Sequence, residues 1–339
     1  MKKQIYFLLI FFISVNVYAQ SNKSHKKCTK HDPSVCCKHY EEDEASFRKE
    51  NKIKGTNSYY VDLVNGKKEV LLKTLKYDKN GNKTEQIIYD ESGNVSSKII
   101  KEYDSKGYEI TKKTYSSNTL ESTTISKYNE FGNKIERIEN DNLNNLRSKI
   151  EFVYDNNNNQ IQQNIFGNEG SLNTSKNLVF DNNDKLIETY NKSGCGKISS
   201  KTTYVYDSKG QLSEQGITDL ETNLTLKYIM KYDESGNQIE STTYSSGIEI
   251  NSFEYIYDKN GNNTEIRYYE RGKLVSKLYN KYDTENNKTE EVLYLEDGTL
   301  SSKAEYKYDK KNNLTETIQW DVKNNIPGGK IINKYEFYK

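Results

Sequence analysis

The chain has 339 residues, of which 33% are hydrophobic and 29% are charged, and its formal net charge is +1. Acidic and basic residues alternate along the chain without forming a basic patch, which argues against nucleic acid as a partner. The 29 tyrosines and only two prolines favour β-strands with solvated faces and polar turns. Low hydrophobicity alone suggests disorder, but a regular repeat argues against it.

Residues 1–20, MKKQIYFLLIFFISVNVYAQ, have the features of a secretory signal peptide. Two lysines precede an apolar stretch from Ile5 to Val15, and a small-residue cleavage site lies near Ala19 or Gln20. The apolar stretch is too short for a membrane span, and no lipobox precedes the first cysteine, Cys28. We therefore expect a periplasmic or secreted protein with a cleaved signal peptide, no lipid anchor and no membrane span.

Residues 21–55 are predicted to be a linker that contains Cys and His, part of it disordered or a short helix. The stretch HKKCTKHDPSVCCKH holds six soft ligands suited to zinc or copper, namely His25, Cys28, His31, Cys36, Cys37 and His39. Their spacing matches no established zinc motif. A disulfide from Cys28 to Cys36 or Cys37, with the remaining thiol paired to Cys195, also fits an oxidising compartment. The sequence leaves both interpretations open, and a short polar helix is predicted within residues 41–54.

A repeat array covers residues 56–339, and an aromatic residue marks each unit at intervals of 25 to 27 residues. The marker positions are Tyr77, Tyr103, Tyr128, Tyr154, Phe180, Tyr206, Tyr232, Tyr257, Tyr282, Tyr308 and Tyr335. Each unit contains two turns, so a strand plus its turn takes about 13 residues, which fits antiparallel strands without helical crossovers. We predict an all-β fold of about eleven antiparallel hairpins with a 26-residue period. They form an extended or curled single sheet, a shell or a solenoid.

The first turn of each unit follows the pattern Asp-x-x-Gly-Asn. Its Gly, or an Asn or Asp substitute, suits a type I turn closed by a left-handed residue. A calcium loop is the alternative, but it requires a bidentate Glu at its twelfth position, whereas Glu85 is eighth in its unit. The pattern therefore predicts turns, most clearly in Tyr77, Asp78 and Gly81, in Tyr232, Asp233 and Gly236, and in Tyr257, Asp258 and Gly261.

Residues further along each unit form columns that share a strand face. A Glu column begins with Glu85, and a Lys column on the return strand begins with Lys98. A simple hairpin register predicts that these two residues face each other directly. Because the Glu recurs in equivalent settings beside Lys, it indicates architecture and not a catalytic carboxylate pair.

An exposed aromatic column is predicted on the same face as the Glu column, at Tyr89, Tyr115, Phe166, Tyr244, Tyr269, Tyr294 and Trp320. Aromatic rings bordered by Asp, Asn, Glu and Lys can stack on sugar rings and hydrogen-bond their hydroxyls. They can equally serve to cover the sheet and fill cross-strand gaps. These residues are the candidate ligand-binding set.

The stretches YDKNGNKTE (77–85), YDESGNQIE (232–240) and YDKNGNNTE (257–265), with the return halves YVYD, YIYD and YKYD, resemble the RHS or YD repeat family. The resemblance implies hairpins joined into a long ribbon that curls into a hollow shell. Members include cell-surface and secreted proteins, some associated with carbohydrate binding and others encasing a toxic C-terminal domain. The period here is longer than usual, and Asn follows the turn Gly where the family often has Arg. Because the repeats run to the final NKYEFYK, we expect no toxin domain.

These observations predict a secreted, non-enzymatic repeat scaffold that binds surface carbohydrate or a cell-envelope protein and needs no cofactor. The alternative is a periplasmic metal-handling protein that binds zinc or copper through its His/Cys segment.

Overall fold

The computed structural model describes residues 43–66 and 68–339. A short helix, α1, covers residues 43–50, inside the segment where a helix is predicted. The strands that follow are β1 (Ile53–Asp62), β2 (Val70–Tyr77), β3 (Lys83–Tyr89), β4 (Val95–Tyr103), β5 (Glu109–Ser116), β6 (Thr119–Tyr128), β7 (Lys134–Asp141), β8 (Leu146–Tyr154), β9 (Gln160–Phe166), β10 (Leu172–Phe180), β11 (Leu186–Ser193), β12 (Ile198–Tyr206), β13 (Leu212–Asp219), β14 (Thr225–Tyr232), β15 (Gln238–Ser245), β16 (Ile248–Tyr257), β17 (Asn263–Glu270), β18 (Lys273–Tyr282), β19 (Lys288–Leu295), β20 (Leu300–Tyr308), β21 (Leu314–Asp321) and β22 (Ile326–Phe337). Of the described segments, none contains a helix with the length and apolar composition needed to cross a membrane.

Each strand pairs antiparallel with the next, and the last strand, β22, pairs antiparallel with β1. The predicted eleven-hairpin all-β fold is confirmed, but the sheet closes into a barrel, so the open ribbon and the solenoid are wrong. At the seam, Ser58 donates a hydrogen bond to Asn333 at 2.7 Å, and Lys334 forms an ion pair with Glu69 at 2.6 Å. Closure removes the two sheet edges that an open ribbon would expose.

The barrel has no conventional hydrophobic core. Among the described residues, seven hydrophobic side chains are buried, at Ile53, Tyr77, Leu178, Leu186, Val292, Ala304 and Tyr306. Most residues on both faces of the strands have intermediate exposure, with little alternation between buried and exposed positions. A sheet packed against a second layer would bury every other residue. Solvent therefore reaches both faces, and stability depends on hydrogen bonds and ion pairs within the sheet.

The repeat tyrosines link each unit to the one before it. Tyr103, for example, donates its hydroxyl hydrogen bond to the backbone carbonyl of Lys83 at 2.8 Å. The same bond, at 2.7–3.0 Å, reaches the residue that begins the first strand of the preceding unit from Tyr128, Tyr154, Tyr206, Tyr232, Tyr257, Tyr282, Tyr308 and Tyr335. At the closing seam, Tyr338 donates its hydroxyl hydrogen bond across β1 to the backbone carbonyl of Tyr77, the last residue of β2, at 2.6 Å. Each of the repeat bonds joins two neighbouring strands. The net contribution of such a hydrogen bond to the free energy of unfolding is typically about 0.5–1.5 kcal/mol.

The turns that carry the Tyr-Asp pairs all lie at one end of the barrel, which we call the YD rim. At ten of these turns the predicted left-handed residue has positive φ, from 58° at Asp184 to 87° at Gly236. Four of the ten are Asn or Asp, for which the left-handed conformation is less favourable than it is for Gly. Their side chains instead accept a hydrogen bond from the preceding turn. Asn159 donates to Asp184 at 2.7 Å, for example. These contacts connect neighbouring turns along the rim.

Helix α1 packs against the first turn of the YD rim. Arg48 donates from Nε to the carbonyl of Gly81 at 2.7 Å, and its guanidinium lies 4.7 Å from the centre of the Tyr77 ring. A Cβ placed on Gly81 would lie 2.0 Å from the carbonyl oxygen of Ala45. Glycine is therefore required here both for its positive φ and for the close approach of the helix.

We expect Gly81→Ala to destabilise the protein more than Gly93→Ala does. Both glycines have nearly the same φ, 83° and 82°, so both variants bear a backbone cost of about 1 kcal/mol. Nothing lies within 4 Å of a Cβ at Gly93, whereas the Gly81 variant must also displace α1. Urea unfolding measures the difference, and hydrogen exchange of residues 43–50 locates it. Equal stability and unchanged exchange would contradict the packing described for α1.

We expect the stability of the barrel to fall with rising pH between about pH 10 and pH 12. Burial, with smaller effects of Tyr204 and Asp181, raises the pKa of Tyr206 to about 12. Burial, helped by Glu291 and Asp258, does the same for the pKa of Tyr282, also to about 12. The unfolded tyrosines lose their protons near pH 10, so in this window the folded state holds more protons and loses stability as pH rises.

Urea midpoints measured across this pH range, together with tyrosinate absorbance, test the expectation. The Tyr206→Phe/Tyr282→Phe variant should show a shallower pH dependence. A wild-type midpoint that stays constant through the range would show that these hydroxyls do not contribute.

Candidate functional site

One face of the sheet, which we call the charged face, carries Glu85 and its equivalents in a repeated ion-pair arrangement. Lys76 lies directly opposite Glu85 on the neighbouring strand, with its Nζ 2.5 Å from Oε2. Lys98 approaches Oε1 of the same carboxylate from the other side, at 3.4 Å. One Glu between two Lys recurs at Glu136 and Glu316. Each of these carboxylates is therefore neutralised within the sheet.

The predicted direct pairing of Glu85 with Lys98 is wrong by two residues. Glu85 lies opposite Ile100, and Lys98 lies opposite Ile87. The second turn and the bulge beside Tyr89 set a register that the simple hairpin rule does not include. Because a shift of two residues keeps both side chains on one face, the ion pair still forms along the diagonal.

A lysine lies directly opposite five of the Glu residues, at Glu85, Glu136, Glu240, Glu290 and Glu316. These lysines were missed from the sequence, although they are visible there as the Lys before the turn Tyr. Hydrogen bonds from these opposite lysines are the largest influence on the carboxylate pKa in three units, and the diagonal lysines add to it. They hold the pKa below its usual range at Glu136, Glu290 and Glu316. Carboxylates of lowered pKa are poor proton-transfer groups near neutral pH. This arrangement is consistent with a structural role for the Glu column.

The seven aromatic candidates all lie on the charged face, each at the last or next-to-last position of an odd-numbered strand. They therefore line the end of the barrel opposite the YD rim. All seven are half-buried, not exposed as predicted. For three of them, Tyr115, Phe166 and Trp320, a neighbouring lysine covers the ring. Lys98 lies directly opposite Tyr115, with Nζ 5.8 Å from the ring centre, and Lys303 lies 3.8 Å from Trp320.

Four of the aromatics form a continuous row, since they occupy successive odd strands β15, β17, β19 and β21. They are Tyr244, Tyr269, Tyr294 and Trp320. Two strand spacings separate neighbouring members, or about 10 Å. The row crosses the strands and follows the barrel end, and Tyr269 is fixed by a hydrogen bond from its hydroxyl to Glu254 at 2.9 Å. Tyr89 and Tyr115 form a shorter row, and Phe166 stands apart from both.

The predicted turn residues lie at the YD rim, away from the aromatics. Oδ1 of Asp78 accepts hydrogen bonds from the backbone amides of Asn80 and Asn82, at 2.8 and 2.9 Å, and Oδ2 accepts one from the Asn82 side chain. Asp258 makes the same set of bonds. The turn itself thus uses both oxygens of these carboxylates. A cleft of about 580 Å³ lies between the turns of Asp233 and Asp258.

The candidate metal ligands, His25 to His39, lie outside the described residues. Cys195 is described, and it lies exposed in the turn between β11 and β12. Its Sγ is 3.0 Å from the hydroxyl of Ser193. The metal and disulfide interpretations of this segment both stay predictions.

No protein-family model matches this chain, and no curated protein matches it significantly. Among solved structures, the Tc holotoxin pore of Photorhabdus luminescens aligns with 81% of this chain and 18% of its own, at 12% identity and a TM-score of 0.31. A porin-like protein of Bacteroides uniformis aligns with 84% of this chain and 98% of its own, at 9% identity and a TM-score of 0.29. This chain thus spans under a fifth of the toxin chain. Similarities at this level carry no argument about function.

Proposed function

We propose that this chain is a secreted, non-enzymatic repeat scaffold that binds surface carbohydrate through the aromatic residues of its charged face. The observation that carries the proposal is the row of four aromatics along one end of the barrel. The rings are half-buried, so each keeps an accessible part while its orientation is held by strand neighbours. The RHS-like motifs also support this proposal, because some members of the family that they resemble are associated with carbohydrate binding.

The direction of the row favours a chain-like ligand. Successive rings lie about 10 Å apart across the strands, so an extended polymer following the barrel end would meet one ring after another. Individual contacts of this kind are weak, but several on one ligand combine because the later ones are intramolecular.

The surroundings of the row favour hydroxyl groups over strong charge. Lys227 lies directly opposite Tyr244 and forms an ion pair with Glu214 at 2.7 Å, and Arg267 forms one with Glu265 at 2.7 Å. Paired charges of this kind offer both hydrogen-bond donors and acceptors to a sugar without a large net charge. An envelope protein is the alternative partner, and the test below separates the two.

We expect the mature chain to bind immobilised bacterial-surface glycans on an array, and Tyr244→Ala/Tyr269→Ala to weaken binding by about tenfold or more. Because Trp320 is the only tryptophan in the chain and belongs to the row, its fluorescence should change when a soluble glycan binds. The matched control is Phe131→Ala, which removes an aromatic that is 67% exposed at the YD rim.

Equal loss of binding in the Phe131 control would show that the row is not the site. If the array stays empty while a pull-down from the native envelope captures a protein, the carbohydrate proposal is wrong and the protein partner takes its place.

A further inference from the structure

We propose that a depression around Gly216, at one end of the aromatic row, holds the terminal pyranose ring of a neutral glycan. This inference rests on the proposed carbohydrate-binding function and assigns one specific subsite to it. The depression has a volume of about 380 Å³, within the size range of small-molecule sites. Its lining includes Gly216, Thr218, Thr225, Lys227 and Tyr244.

The depression exists because one unit differs from the others at two positions. The ninth and eleventh residues after the turn Asp point to the charged face and are bulky in most units, as in Ile87 with Tyr89 or Ile318 with Trp320. After Asp207 the corresponding residues are Gly216 and Thr218. Among the ten units that begin at Tyr77 to Tyr308, this is the one in which neither position carries a bulky side chain.

A glycine in the middle of a strand needs a reason, because it weakens the strand by roughly 0.5–1 kcal/mol relative to Ala. Gly216 lies opposite Thr203 on one side and Lys227 on the other. A Cβ there would lie 2.8 Å from the hydroxyl oxygen of Thr203, and a β-branched side chain has few rotamers with which to move aside. Glycine therefore leaves space for Thr203, and it also leaves the backbone open to the close approach of a ligand.

The lining combines the apolar residues Ile217, Leu226 and Ile229 with groups that can contact a sugar. Tyr244 supplies an aromatic wall, and its backbone neighbour across the ladder, Lys227, lies between it and Gly216. Lys227 lines the depression and is paired with Glu214, which lies outside the lining, at 2.7 Å, so the site presents a donor whose charge is balanced. Thr218 and Thr225 lie directly opposite each other and add two hydroxyls. Such a site favours an uncharged sugar, because an acidic one would have to compete with Glu214 for Lys227.

The position of the depression relative to the row defines the end of the ligand. Tyr244 is the first of the four row residues and also lines the depression. A glycan that follows the row from β21 to β15 would reach Gly216 last. We therefore assign its terminal ring to the depression and its remaining rings to the aromatics.

Titration calorimetry with neutral hexasaccharides (cellohexaose, xylohexaose and mannohexaose), and with oligogalacturonate as an acidic comparator, tests the assignment on the mature chain. Thr218→Tyr fills the depression with a side chain that other units carry at this position. Gly216→Val fills it with a side chain at the strand position that has none. Both should weaken binding of the preferred neutral hexasaccharide by about tenfold or more. Asn140→Tyr, the same change at the equivalent position of β7, should leave binding unchanged.

The results of these measurements test the Gly216 subsite separately from carbohydrate binding by the aromatic row. Wild-type binding that is lost in Tyr269→Ala/Trp320→Ala but kept in Thr218→Tyr would overturn the subsite and retain the proposed function. Preference for the acidic comparator, or equal loss in Asn140→Tyr, would also overturn the subsite. A wild-type chain that binds none of these probes and no glycan on the array overturns both. Thermal melts of each variant show whether loss of binding reflects loss of fold.

Discussion

The pairing of β1 with β22 is the constraint on which the rest of the structure depends. A sheet of 22 strands with solvent on both faces cannot rely on a buried core, and an open sheet would end in two unsatisfied edges. Closure gives every strand two neighbours, and the seam is reinforced by side chains, including the hydrogen bond from Ser58 to Asn333. The bond from Tyr338 to Tyr77 also connects the residue after β22 to the end of β2.

Within the closed sheet, each unit is stabilised through its neighbours. The tyrosine hydroxyls bind the backbone of the neighbouring strand, the Asn and Asp side chains connect successive turns, and Glu residues such as Glu85 lie between lysines from both sides. Nearest-neighbour stabilisation of this kind is typical of repeat proteins. It also allows variation, because single units can lose one contact and keep the others. Phe180 lacks the hydroxyl, and Gly216 lacks a side chain altogether, yet both lie in continuous strands.

That tolerance connects the architecture to the proposed function. Identical copies produce a regular surface, and binding specificity has to come from the positions where copies differ. The aromatics recur in some units and are absent from others, which creates one row of four and a depression at its end. Lysines cover three of the seven aromatic rings, so residues that are proposed to bind ligand also contribute contacts within the sheet. Half-burial of the rings is consistent with a structural role and with the proposed binding role.

The sequence by itself determined the period, the two turns of each unit, the antiparallel hairpins and the membership of each face, because a strand alternates its side chains strictly and a turn needs its left-handed residue. It did not determine the hairpin register, since the bulge beside Tyr89 moves Lys98 two residues away from the position opposite Glu85. Nor did it reveal the lysines that lie opposite five of the Glu residues, the tyrosine acceptors or the depression at Gly216, which depend on contacts between units. Closure was decided by tertiary structure alone, because the curvature and twist that bring β22 to β1 accumulate over all 22 strands and no local motif encodes their sum.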